Sequence, residues 1–276
     1  MADRNKIAVT PRSSVRVVAL DLDGTILEPG KVITDQVIDA LRSLRERGIR
    51  CVTASGRPVD FQLALLDRHG LGADSGCFQA LITDERELHL CETAAEGARF
   101  RPDEEWNDQV HRRWRRLAGT ATHWLERARE EARRRALPGR IELKLDEVEP
   151  RGLATIGFDN PESAAVICDW LSDQLVGVEG LACNRNVTLV QIYDESAGKG
   201  NVLARLAKLW LVEPAEVLAI GDTKNDEVML DGSLGYLAAT VANADDDIKT
   251  AVRRSGGYVA SGRIGAGVIE ALAALV

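Results

Sequence analysis

The chain has 276 residues, which fits one large or two modest domains and is long enough to bury a core without disulfides. Hydrophobic residues make up 45% and charged residues 28%, a balance typical of globular proteins. The 35 Lys and Arg residues against 43 Asp and Glu give a net charge of −8, which argues against nucleic acid as a partner.

The sequence contains no apolar run of membrane-spanning length, so we expect no membrane partner. The first fourteen residues carry charges and lack the apolar stretch of a secretory signal. The five cysteines include no C-x-x-C pair, which favours reduced thiols over a disulfide framework or a zinc site. We therefore expect a cytoplasmic protein, present as a monomer or a homodimer.

Predicted strands and helices alternate in the first part of the chain. Residues 15–20 form a short β-branched apolar run, as in a buried parallel strand. Residues 34–47 carry apolar side chains at helical spacing after an N-capping Thr. Residues 49–53 form a second apolar run, and Pro58 should be the first residue of a helix that ends near residue 69. This order predicts an α/β fold with a Rossmann-like, doubly wound parallel sheet.

The same alternation returns at the end of the chain. The predicted elements there are a helix, a strand, a short helix, a strand and two helices, at residues 199–211, 217–220, 226–231, 237–240, 245–255 and 267–276.

The middle of the chain differs in composition. Residues 102–135 form a long, charged helical stretch. Two strands, a helix and two strands should follow, at residues 141–145, 153–158, 161–175, 180–183 and 187–193. We expect an α+β domain inserted at residues 90–194, with residues 1–89 and 195–276 forming the core.

Acidic residues follow two of the predicted strands, at the sheet edge where open α/β folds bind ligands. Asp21-Leu22-Asp23-Gly24-Thr25 comes after the first strand, and Gly221-Asp222-Thr223-Lys224-Asn225-Asp226 follows the strand at residues 217–220. Two such groups of carboxylates predict a site for a hard cation such as Mg²⁺. The alternatives for the first motif are a solvated Asp-rich turn and an EF-hand loop, which would need its Gly at position six.

Two further motifs place phosphate-binding groups next to helices. Ser55-Gly56-Arg57 precedes the helix at Pro58, whose free N–H groups can hold a phosphate. Gly198-Lys199-Gly200 opens a later helix but is not a P-loop, because Gly200 stands where Ser or Thr is required. Taken alone, the first motif also fits a helix cap and the second a surface lysine.

In this order the four motifs resemble those of the haloacid dehalogenase (HAD) superfamily. The inserted unit resembles the cap of its type-two, subclass-B (Cof-like) phosphatases, of the sugar-phosphate phosphatase type. The resemblance implies a Mg²⁺-dependent phosphomonoester hydrolase that works through an aspartyl-phosphate intermediate. A sugar phosphate is the expected substrate and a small cofactor phosphate the next. A sugar phosphomutase and a non-hydrolytic binding protein on the same fold remain alternatives.

The resemblance also implies a role for each matching residue. Asp21 would be the nucleophile, and Asp23 the acid and base that serves the leaving group and then water. Both would bind the metal, Asp23 through its carbonyl, together with Asp222 and Asp226. Asn225 and Arg57 would support the site. The implied phosphate-binding residues are Gly24, Thr25, Ser55, Gly56 and Lys199.

Polar residues on the predicted cap strands are candidates for contact with the leaving group, namely Lys144, Arg185 and Asn186. Trp106, Trp114 and Trp124 are expected in the core of the cap. Cof-like proteins commonly carry Asn-Gly-Ala after the third strand, where this sequence is expected to place residues 74–80 instead.

Overall fold

The computed structural model describes residues 15–148 and 152–276. The first fourteen residues, in which we predict no secretory signal, lie outside the described part. The helices are α1 Asp35–Glu46, α2 Val59–Arg68, α3 Glu104–Arg134, α4 Pro161–Leu175, α5 Lys199–Leu209, α6 Glu227–Leu230, α7 Asp246–Arg254 and α8 Ile264–Leu275. No helix of the described residues is long and apolar enough to cross a membrane.

A sheet of eight strands forms the larger part of the protein. The strands are β1 Val17–Leu20, β2 Arg50–Ala54, β3 Phe78–Thr83, β4 Glu87–Ala94, β5 Gly97–Pro102, β10 Val217–Gly221, β11 Leu237–Thr240 and β12 Tyr258–Val259. Their order is β12-β11-β10-β1-β2-β3-β4-β5. The pairs from β12 to β3 are parallel, while β4 and β5 pair antiparallel. The predicted α/β class is confirmed.

The strand order sets the position of the site. Strand β1 lies between β10 and β2, and both neighbours run parallel to it. The segments that follow these three strands therefore meet at one edge of the sheet. All four residues of β1 are fully buried, as expected for a central parallel strand covered on both faces.

A second sheet of four strands lies between β5 and α5 in the chain. It consists of β6 Ile141–Leu143, β7 Ala154–Phe158, β8 Leu181–Asn186 and β9 Leu189–Asp194, in the order β6-β7-β9-β8 with every pair antiparallel. One face packs on α3 and α4 and forms a separate hydrophobic core, which includes Leu125, Ile156 and Ile192. Alternation along the strands places the intervening residues on the opposite face.

Several boundaries differ from those predicted. Strands β4 and β5 extend the larger sheet to Pro102, although we expect the inserted domain to begin at residue 90. The outer residues of these strands are partly exposed, so they lack the apolar run by which buried strands are predicted. Pro58 was predicted to be the first residue of α2. It is the N-cap residue instead, and the helix begins at Val59.

The tryptophans also divide between the two cores. Trp114 is buried in the core of the second sheet, and its Nε1 donates to the Val148 carbonyl at 2.6 Å. Trp124 packs against the same core. Trp106 instead packs against the core of the larger sheet, and its Nε1 donates to the Arg86 carbonyl at 2.8 Å. Placing Trp106 in the core of the cap was therefore wrong, because the start of α3 lies against strand β4.

Truncating a buried leucine of α3 tests the core beneath the second sheet. Leu125 is fully buried, so Leu125→Ala should lower the free energy of unfolding by about 2–5 kcal/mol through lost burial and a residual cavity. Leu211 is 86% exposed, so the matched variant Leu211→Ala should stay within about 0.5 kcal/mol of wild type. Urea denaturation measures both. Equal losses in the two variants would contradict the described core.

Candidate active site

Three buried carboxylates meet at the sheet edge described above. Asp21 follows β1, and Asp222 follows β10, with Asp226 one turn further along. Each offers an oxygen, and these oxygens all lie within 4.8 Å of one another. The predicted convergence of the two acidic motifs is therefore present in the fold.

Backbone and side-chain donors fix the two later carboxylates. Asp226 Oδ2 accepts hydrogen bonds from the N–H groups of Asp222 and Thr223, at 3.0 and 3.1 Å. Gly221 leaves room for this carboxylate, because a Cβ at that position would lie 2.5 Å from the Asp226 carboxyl carbon. Thr25 Oγ1 donates to Asp222 Oδ1 at 3.0 Å. Thr25, predicted to bind phosphate, thus orients a carboxylate.

Close backbone approach explains the glycine of the first motif. Gly24 has φ +81°, and a Cβ there would collide with the Asp222 carboxylate. Asn243 Nδ2 donates to the Gly24 carbonyl at 2.8 Å, and its Oδ1 accepts from the Ile264 N–H at 2.7 Å. Asn243 was not among the predicted site residues, and it ties the first motif to the start of α8.

Lys199 is the cation of the cluster. Its Nζ lies 2.8 Å from Asp21 Oδ1 and 2.7 Å from Asp226 Oδ1, and the residue is only 2% exposed. Burial alone would lower the pKa of Lys199, but the Asp21 and Asp226 carboxylates outweigh it and raise that pKa above its usual value. Lys199 therefore keeps its charge in the buried site and is not a surface lysine.

One ammonium does not balance three carboxylates. Burial, followed by repulsion from Asp226 and Asp222, holds the pKa of Asp21 well above its usual range, although Lys199 opposes the shift. Burial and the Asp226 charge raise the pKa of Asp222 to about 7. The cluster therefore lacks positive charge, and a divalent cation would supply it. Carboxylate oxygens at this spacing suit a hard cation such as Mg²⁺, so the residues present fit that metal.

Asp23 and Arg57 form an ion pair at the mouth of the site. Arg57 Nε and Nη2 each lie 2.8 Å from an Asp23 oxygen, and both side chains are more than a third exposed. The guanidinium also lies over the Phe61 ring, 4.8 Å from its centroid. The bidentate pair gives Arg57 a direct contact with the proposed acid.

A cleft of about 970 Å³ separates these motifs from the second sheet. Its core wall includes Asp21, Asp23, Gly24, Ser55, Gly56 and Arg57. The opposite wall includes Lys144, Leu153, Thr155, Asn186, Thr188 and Gln191. Lys144 and Asn186 thus lie where contact with a leaving group is predicted.

Arg185 does not line this cleft. Its Nη1 donates to the Val187 carbonyl at 3.1 Å, and its Nη2 lies 3.6 Å from Asp245 Oδ2. Leu181 and Cys183 on the same strand pack toward the helices. Side chains alternate between the two faces of a strand, so Arg185 lies on the same face as Leu181 and Cys183. It therefore points away from the face that carries Asn186. It joins the second sheet to the loop before α7, so its observed contacts do not include the wall where a leaving group is expected.

Glu85 lines the cleft and was not predicted. It lies in the tight turn between β3 and β4, where Asp84 and Glu85 have φ of +47° and +63°. Its Oε1 accepts from Asn225 Nδ2 at 2.7 Å, and its Oε2 accepts from Asn184 Nδ2 at 3.4 Å. A charged turn gives no sequence signal, because it is also typical of a solvated surface.

The turn also shows which residues stand where Cof-like proteins commonly carry Asn-Gly-Ala, after the third strand. Residues 74–80 lead into β3, whereas Asp84 and Glu85 follow it. A pair of residues with positive φ is the usual place for Asn and Gly. Non-glycine residues there are strained, and such strain often marks a functional position.

Comparisons with known proteins agree with this geometry. Residues 18–83 match the haloacid dehalogenase-like hydrolase family, and residues 161–275 match the sucrose-6F-phosphate phosphohydrolase family. A phosphoglycolate phosphatase from Methanothermobacter thermautotrophicus is 25% identical over 260 residues, 94% of this chain and 97% of that protein.

Solved structures share the fold. The sucrose-phosphatase from Synechocystis, solved with sucrose and phosphate, has a TM-score of 0.69 at 19% identity, over 95% of this chain and 98% of that one. A haloacid dehalogenase-like hydrolase from B. subtilis has a TM-score of 0.61 at 18% identity, over 95% of this chain and all of that one.

The fold and the order of the four motifs place an acidic site at the edge of a parallel sheet. Residues 18–83 carry the match to the haloacid dehalogenase-like hydrolases, and the two solved structures share the fold of the chain. The predicted family and the predicted phosphatase class are both confirmed.

Removing the buried cation tests the charge balance of the cluster. Lys199→Met leaves two buried carboxylates without their partner, so the metal-free protein should lose about 3–5 kcal/mol of unfolding free energy. Lys208→Met makes the same change at an exposed position of α5 and should stay within about 0.5 kcal/mol of wild type. Denaturation in excess chelator measures both variants. A Lys199→Met protein as stable as Lys208→Met would contradict the described ion pairs.

Proposed function

We propose that this protein is a Mg²⁺-dependent phosphomonoester hydrolase for a small phosphorylated metabolite, and that a sugar phosphate is its substrate. The observation that carries the proposal is the Asp21 carboxylate, which lines the cleft while Lys199 and two further carboxylates surround it. The similarity to proteins named as phosphatases supports the reaction class. The match to sucrose-6F-phosphate phosphohydrolases supports a sugar phosphate.

Asp21, Asp222 and Asp226 would hold the metal, together with the Asp23 carbonyl. When bound, Mg²⁺ supplies positive charge to the transferring phosphoryl group. Ser55, Gly56 and Lys199 would bind the phosphoryl oxygens, because Ser55 and Gly56 line the cleft and Lys199 carries the buried charge beside Asp21. The second sheet with α3 and α4, within the predicted insertion at residues 90–194, would act as the cap that closes over the substrate.

The reaction would proceed in two transfers. An Asp21 oxygen attacks phosphorus, the bond from phosphorus to the ester oxygen breaks, and Asp23 gives its proton to the leaving alcohol. Asp23 then takes a proton from water as the water oxygen attacks phosphorus. The bond between phosphorus and Asp21 breaks, and inorganic phosphate leaves. In its ion pair with Arg57, Asp23 is a carboxylate, so it must leave that contact and take up a proton from solvent before it can act as the acid.

Phosphate release from sugar phosphates tests the reaction and the metal together. Wild-type protein should release phosphate with Mg²⁺ and lose this activity in excess chelator. Asp21→Asn should lower kcat by about a thousandfold or more, because the nucleophile is lost. Asp39→Asn, the same change on an exposed face of α1, should remain as active as wild type. Full activity in chelator would contradict the metal, and full activity in Asp21→Asn would contradict the nucleophile.

The covalent intermediate requires its own test. Asp23→Asn removes the base that activates water, whereas p-nitrophenol leaves without needing a proton. Rapid mixing of this variant with p-nitrophenyl phosphate and Mg²⁺ should therefore give a burst of one p-nitrophenol per protein, followed by slow turnover. Acid quenching should recover the phosphate on the protein. Linear release of p-nitrophenol without a burst, and no phosphate on the quenched protein, would contradict the aspartyl phosphate.

A further inference from the structure

Glu85 places an additional negative charge at the junction of the two walls of the cleft. The residue is 5% exposed and lines the cleft. Its carboxylate lies over Gly56, since a Cβ on Gly56 would be 2.9 Å from Glu85 Oε1. Gly56 belongs to the segment proposed to bind phosphate. The Glu85 carboxylate therefore lies beside the proposed phosphate site, where it can face the leaving group of a bound ester.

The partners of Glu85 are uncharged. Asn225 donates to it from the core and Asn184 from the second sheet. Among the described residues, no lysine, arginine or histidine makes an ion pair with Glu85. Its carboxylate is therefore held by amide hydrogen bonds, and the nearest cationic influence is the buried Lys199, whose pKa the Glu85 charge helps to raise.

The facing wall offers hydrogen-bond acceptors at the same end. Thr155, Gln191 and Asn184 are register partners across β7, β9 and β8, so their side chains share one face of the sheet. Gln191 lines the cleft, is 6% exposed, and its buried Oε1 has no hydrogen-bond partner. Asn184 turns its Nδ2 toward Glu85, which leaves its buried Oδ1 also without a partner.

Among the residues of this wall that the structure describes, the cation lining the cleft is Lys144, whose backbone lies at the other end of the row. Lys144 follows β6, and its N–H donates to the Thr155 carbonyl. Strand order places Asn184 two strands beyond Thr155, about 10 Å away at the usual strand spacing. The backbone of Lys144 is thus set apart from the end of the row at which Asn184 donates to Glu85.

We propose that Glu85 is a specificity-determining residue that selects uncharged, hydroxylated leaving groups and disfavours leaving groups that carry a carboxylate. The inference rests on the proposed phosphatase function. A hydroxyl can donate to Glu85 and to the Gln191 oxygen, whereas a carboxylate brings no donor and adds a like charge beside Glu85. The two named relatives differ in this respect, because glycolate is a carboxylate and sucrose is a neutral polyol.

Relative activity on two phosphate esters tests the proposal. Wild-type kcat/KM with Mg²⁺ should be about tenfold or more higher for glucose 6-phosphate than for 2-phosphoglycolate. Glu85→Gln keeps the size of the side chain and removes its charge. It should shift this ratio about tenfold or more toward 2-phosphoglycolate, mainly by raising kcat/KM for that ester. Glu92→Gln removes the same charge from an exposed position of β4 and should leave the ratio unchanged.

The outcomes separate this inference from the proposed function. A wild-type preference for 2-phosphoglycolate would overturn the role of Glu85, and so would a ratio that Glu85→Gln leaves unchanged. Hydrolysis of p-nitrophenyl phosphate in the same preparations would show that the phosphatase function still stands. Absence of Mg²⁺-dependent hydrolysis of all three esters would overturn both. The wild-type ranking tests the proposal even if the Glu85→Gln protein does not fold.

Discussion

The crowding of Asp21, Asp222 and Asp226 around Lys199 is the constraint on which the rest of the site depends. Buried like charges repel strongly, and one ammonium offsets only part of that repulsion. The surroundings are built to hold the carboxylates in place. Gly24 and Gly221 leave room for them, while Thr25 and backbone N–H groups donate to them. Such a preorganised deficit of positive charge suits a divalent cation, which would in turn offset the negative charge of a phosphoryl group.

The parallel sheet makes this crowding possible. Asp21 and Asp222 come from the ends of neighbouring strands, and Ser55 follows the strand on the other side of β1. Each residue is set by a buried strand, so rigid elements carry the reacting groups. The opposite wall of the cleft comes from a sheet with its own hydrophobic core, and so its polar face can vary without disturbing the acidic cluster. The buried acidic cluster therefore lies on the larger sheet, while the polar face of the second sheet forms the opposite wall of the cleft.

The motifs of the core were predictable because each is local. Asp21, Ser55 and Asp222 directly follow apolar runs that are recognisable as buried strands, and Lys199 opens a helix. Their convergence follows from the strand order that an α/β alternation implies. Thr25 was predicted as part of the first motif, but its bond to Asp222 depends on side-chain geometry that spacing does not determine.

Other features depend on register and long-range contacts. The sequence does not show which face of β8 meets the cleft, and a shift of one residue moves Arg185 to the other face. Glu85 becomes part of the site only because its turn lies between Asn225 of the core and Asn184 of the second sheet. Asn243 reaches Gly24 across 219 positions of the chain. No local pattern carries such information.

A crystal structure with Mg²⁺ and beryllium fluoride tests the central claim most directly, because beryllium fluoride mimics a phosphoryl group on a carboxylate. We expect beryllium fluoride on Asp21, with Lys199 in contact with it and Mg²⁺ bound by Asp222 and Asp226. Metal bound elsewhere would contradict the metal site, and beryllium fluoride on any other residue would contradict Asp21 as the nucleophile.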